Sequence, residues 1–92
     1  MGSWVDIRSD YVDDTDVDKG IVTLYIDAWR TDDDNEEGHS IATITLDQTE
    51  TIPLLKIIYK RNDIEHDPAV QEAIRDGIQH LKEYYLKEAT NK

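Results

Sequence analysis

The sequence has no cysteine, which excludes a disulfide framework, a thiolate zinc site and a cysteine nucleophile. It also lacks a long apolar run, since no stretch approaches the roughly 18 apolar residues of a membrane span. Residues 1–6 do not combine a basic segment with an apolar one, as a secretion signal does. We therefore expect a cytoplasmic protein whose stability comes from side-chain packing.

Basic residues are scarce: 10 Lys and Arg stand against 21 Asp and Glu, for a formal net charge of -11. Such a field repels nucleic acid and anionic lipid, so we expect neither nucleic acid nor a membrane as a partner. A basic protein surface or a cation is compatible with this charge. A third interpretation is that the acidity serves only solubility.

The chain is short as well, and its 92 residues are predicted to form a single domain, residues 1–92. At this length about 60 to 65% of the unfolded chain's surface is buried on folding. That fraction allows one two-layer core, and it argues against a deep enclosed active site.

Alternation of apolar and polar side chains predicts four strands. They are expected at about residues 4–12, 21–30, 39–47 and 51–60. The second has the strongest pattern, in which Val22 and Leu24 share one face. In the first strand, Tyr11 is expected on the same side as Ile7. Pro53 lacks a ladder donor, which predicts that the fourth strand lies at a sheet edge.

A helix is predicted from about residue 68 to residue 89. Asp67 and Pro68 form a strong start signal, because the Asp side chain accepts from free N–H groups and Pro loses no bond at the first position. The apolar stripe consists of Val70, Ile74, Ile78, Leu81 and Tyr85. These elements predict an α+β fold: a four-stranded antiparallel meander (ββββα) with one C-terminal helix packed on one sheet face. The alternative is a sheet in which the first strand pairs elsewhere.

Two acidic segments, residues 13–20 and 31–38, each end in glycine and are predicted as loops. They repeat the patterns Asp14-x-Asp16-x-Asp18-x-Gly20 and Asp32-x-Asp34-x-Glu36-x-Gly38. Carboxylates spaced by two before a glycine are typical of the first half of a calcium loop. Here the glycine comes one residue late and the closing Glu is missing. Calcium binding by these six carboxylates is therefore an alternative to plain solvated hairpin loops.

The sheet face that the helix leaves uncovered is predicted to be partly aromatic. Its large side chains are expected to be Trp4, Tyr25, Trp29, Ile41, Leu54 and Ile58. Aromatic residues among threonines are typical of interface cores. Ordinary cross-strand pairing is the simpler explanation of the same composition.

No group of residues in the sequence has the spacing of a known catalytic or metal site. The serines Ser3, Ser9 and Ser40 do not lie in a nucleophile elbow. His66 stands near several carboxylates without a ligand framework, and the four glycines form no phosphate loop. We therefore predict no catalytic residue, no cofactor and a non-enzymatic role.

The sequence is best explained by an acidic interaction protein that docks on a basic protein surface or forms a homodimer. Inhibitors, immunity proteins and nucleic-acid mimics work in this way. The predicted binding residues are Trp4, Tyr25, Trp29, Asp32, Asp33, Asp34, Glu36 and Glu37. The alternatives are the calcium-binding module, using Asp14, Asp16, Asp18, Asp32, Asp34 and Glu36, and a domain whose acidity serves only solubility.

Overall fold

Four antiparallel strands form one sheet in the computed structural model, which describes residues 4–32 and 35–86. The strands are β1 (Trp4–Asp13), β2 (Ile21–Asp32), β3 (Asn35–Asp47) and β4 (Leu54–Tyr59). They lie in the order β1-β2-β3-β4, and one helix, α1 (Pro68–Tyr84), follows them in the chain. Short 3₁₀ turns occur at Val17–Lys19 and Ile64–His66. The predicted α+β meander, with β4 at a sheet edge, is confirmed.

The core lies between α1 and one face of the sheet. Its buried residues are Val22, Leu24, Ile26, Ile41, Ala42, Ile44, Leu46, Val70, Ala73, Ile74 and Leu81. Gly77 brings the helix close to the sheet, because a Cβ at this position would lie 2.9 Å from Leu24 Cδ2 and 3.1 Å from Ile44 Cδ1. The β-branched residues of β2 and β3 thus meet the apolar stripe of α1 in a single layer.

The start of α1 follows the sequence prediction. The Asp67 side chain accepts a 2.9 Å hydrogen bond from Ala69 N, and Pro68 occupies the first helical position. The helix ends at Tyr84 rather than near residue 89, because the Tyr85 backbone leaves the helical region. Gln48 Nε2 donates to the Tyr85 carbonyl at 2.9 Å, which gives a free helix-end acceptor a partner. In the part of the chain that the structure describes, no helix is both long and apolar enough to cross a membrane.

The described residues of the second acidic segment, 31–32 and 35–38, are paired backbone rather than the predicted loop. The register pairs Trp29 with Gly38, Arg30 with Glu37, Thr31 with Glu36, and Asp32 with Asn35. β3 therefore begins at residue 35 rather than at 39. Asp, Asn and Gly are poor strand formers, which is why the sequence pattern favoured a loop. We call residues 31–32 and 35–37 the acidic ribbon.

The first acidic segment is a loop, as predicted. Val17–Lys19 forms a 3₁₀ turn that ends at Gly20 with φ 91°. This left-handed conformation favours glycine. Gly20 also lies against the backbone that follows β3, since a Cβ there would be 3.1 Å from Gln48 C and O.

Two β-bulges change which side chains face the helix. The register passes from Ser9–Ile26 to Tyr11–Tyr25, so Asp10 is the extra residue in β1. A one-residue insertion moves all later side chains to the opposite face. Tyr11 consequently faces away from α1, and its predicted placement beside Ile7 is wrong.

Ile41 is the extra residue in β3, where the register passes from Ile26–Ala42 to Asp27–Ser40. The bulge directs the Ile41 side chain into the core, and only 3% of it is exposed. Its predicted place on the uncovered face is therefore wrong. The rule that successive side chains of a strand face opposite sides therefore gives the wrong face beyond any unpaired, bulged residue.

Candidate interaction surface

The sheet face opposite α1 is uncovered over the strands, and we call it the open face. One cross-strand row on it contains Tyr11, Tyr25, Thr43 and Ile58. A neighbouring row contains Thr23 and Thr45, whose hydroxyl oxygens are 3.2 Å apart. The other described residues of this face are Asp6, Arg8, Asp13, Ile21, Asp27, Trp29, Ser40, Asp47, Leu54 and Lys56, and Lys60 Nζ lies over the Tyr25 ring. The predicted open-face positions of Tyr25, Trp29, Leu54 and Ile58 are confirmed.

Trp29 lies between a glycine and an arginine. A Cβ at Gly38 would be 2.8 Å from Trp29 Cε2 and Cζ2, so the indole rests directly on the β3 backbone. Above it, Arg8 Cζ is 5.0 Å from the ring centroid, within cation–π range. Arg8 Nη1 is 3.5 Å from Asp6 Oδ2. Gly38 therefore makes room for an aromatic side chain rather than closing a loop.

Tyr25 forms a second aromatic centre on the open face. Its ring centroid is 5.8 Å from that of Tyr11, and Lys60 Nζ is 5.5 Å from the same ring. Lys60 Nζ also donates to Ser40 Oγ at 3.0 Å. The ammonium group is thus oriented by two contacts over the middle of the face.

Asp27 lies between these two centres, and its environment disfavours the charged form. Burial raises the pKa of the Asp27 carboxyl, and a hydrogen bond with Asp10 together with the negative charge of that residue raises it further. Lys60 and Arg8 act in the opposite direction on the same pKa. Asp27 Oδ1 and Trp29 Nε1 are buried without a hydrogen-bond partner among the residues described. The bulge at Asp10 brings the two carboxyl groups together.

The structure brings together only some of the predicted binding residues. Tyr25 and Trp29 share the open face. The backbones of Trp4, Asp32, Glu36 and Glu37 lie in the paired strands, and Trp4 and Glu36 are both opposite Thr31. Asp33 and Asp34 lie outside the described residues.

Sequence reasoning gave no functional weight to Arg8, Asp10, Asp27 and Lys60. A charged residue inside the strongest strand, Asp27, was the available signal, because acidic residues are depleted from strand interiors. Its partners were not readable from the sequence, since they depend on the register that the bulges set.

The carboxylates of the calcium alternative are differently arranged. Asp14, Asp16 and Asp18 are exposed around the 3₁₀ turn, and Asp16 Oδ1 is 3.8 Å from Lys19 Nζ. Asp32 and Glu36 belong to opposed strands of the acidic ribbon, and Asp34 lies outside the described residues. Among the residues that the structure describes, no three His, Asp or Glu side chains are grouped so that they could hold a metal ion.

Comparison of the chain with protein-family models, curated proteins and solved structures gives no match. Its function must therefore be inferred from its own geometry.

Proposed function

We propose that this chain is a non-enzymatic, acidic interaction protein that docks on a basic protein surface. One observation carries the proposal: the described residues of the second acidic segment lie in paired strands, directly beside the aromatic and charged residues of the open face. The pairs from Trp29–Gly38 to Asp32–Asn35 continue the same ladder that holds Tyr25. Charge and aromatic anchors thus belong to one continuous structural element.

The acidic ribbon concentrates negative charge at one end of the sheet. Residues 31–38 include five acidic residues and no basic one. β4 pairs with β3 only as far as Ala42, so the ribbon extends past the end of β4. A concentration of like charge on a paired backbone favours electrostatic complementarity with a basic surface, which increases association rate and selectivity.

The open face supplies anchors of the kind that dominate interface energies. Trp29 is held between Gly38 and Arg8, and Tyr11 is exposed beside Tyr25. Aromatic and arginine side chains are enriched among residues that contribute most to binding. Because their contacts within the chain already hold these side chains, little conformational entropy is lost when a partner covers them.

The proposal is tested with two charge variants that differ only in location. The ribbon variant carries Asp32→Asn, Glu36→Gln and Glu37→Gln. The control carries Glu72→Gln, Asp76→Asn and Glu83→Gln on the exposed side of α1. Each removes three negative charges, so bulk charge is matched.

Both variants and the unmodified chain are used for affinity capture from a lysate of the encoding organism, at low and at high salt. We expect a basic protein that the unmodified chain and the helix variant retain at low salt, and that the ribbon variant loses. High salt should release it from the unmodified chain and from the helix variant as well. Equal loss from both variants, or retention by all three at high salt, would contradict docking through the ribbon.

A further inference from the structure

We draw no further inference here: the strongest candidate, the exposed apolar surface of the edge strand β4 (Leu54–Tyr59), carries none, because nothing in the structure shows what covers it.

Discussion

Asp27, on the open face, makes the stability of the fold depend on pH. Its folded-state pKa is raised above the ordinary value of 3.8, first by burial and then by Asp10. The native state therefore binds more protons than the unfolded state between 3.8 and the folded-state pKa. The stabilising contribution of Asp27 is complete below pH 3.8 and is lost as the pH rises through the folded-state pKa.

Asp27→Asn is accordingly expected to raise the melting temperature at pH 7. It removes a carboxylate that is unfavourable when charged, and its amide can donate to Asp10. The difference from the unmodified chain should shrink as the pH falls, because the raised pKa lets Asp27 take up its proton in the native state before it does so in the unfolded state. Thermal unfolding followed by circular dichroism over this pH range measures both effects.

Asp76→Asn on the exposed side of α1 is the matched control, because it makes the same chemical change on the helix. It should not reproduce the pH-dependent gain. A lower melting temperature for Asp27→Asn at pH 7 would show that the buried carboxylate is stabilising and that its contacts with Arg8 and Lys60 outweigh its burial.

Trp29 and Gly38 form a pair whose interaction can be isolated in a double-mutant cycle. Gly38→Ala places a methyl group 2.8 Å from the indole and should cost about 1 to 2 kcal/mol of stability through overpacking. In a Trp29→Ala background the same change should be neutral or slightly stabilising, because glycine is otherwise unfavourable in a strand. Denaturant unfolding of the four proteins gives the coupling energy. Equal costs in both backgrounds would contradict the stacking of Trp29 on Gly38.

At the scale of elements, the stability of α1 depends on the cap at its first turn. Asp67→Ala removes the acceptor for Ala69 N and should cost about 1 kcal/mol. For a domain of this size that corresponds to a fall of about 4 to 8 °C in melting temperature. Asp67→Asn keeps a capping oxygen and should be near neutral. If the alanine and asparagine variants had the same melting temperature, the cap would not stabilise the helix.

The elements that the sequence predicted well are those with local signals. The start of α1 at Asp67 and Pro68 depends on adjacent residues, and the edge position of β4 was readable from Pro53. The end of the helix could not be predicted from the sequence, because it involves a contact with a distant residue. The side chain of Gln48 donates to the carbonyl of Tyr85, the residue that follows α1. The bulges were missed for the same reason: which residue of a strand is unpaired depends on its neighbour strand.

The candidate site shows the same contrast between residues with local sequence signals and residues placed by long-range contacts. Alternation in β2 correctly placed Tyr25 and Trp29 on one face, since no bulge separates them within that strand. Arg8 and Asp10 come from β1, and Lys60 follows β4. They reach Asp27 and the two aromatic rings only through cross-strand register. Local patterns do not encode that register when each neighbouring strand contains an extra residue.

At the scale of the whole molecule, charge is unevenly distributed over the sheet. Asp32, Glu36 and Glu37 belong to the paired strands at one end, whereas residues 51–62, which contain β4, include three basic residues and no acidic one. A basic partner attracted by charge would therefore meet the ribbon end of the sheet rather than β4.

The most direct test of charge-driven docking is the salt dependence of affinity for the captured basic partner. The slope of log Kd against log salt concentration is measured for the unmodified chain, the ribbon variant and the helix variant. We predict steep, matching slopes for the unmodified chain and the helix variant. The ribbon variant should show a shallower slope and about tenfold weaker binding at low salt. Equal slopes for the two charge variants would show that bulk acidity, rather than the ribbon, drives binding.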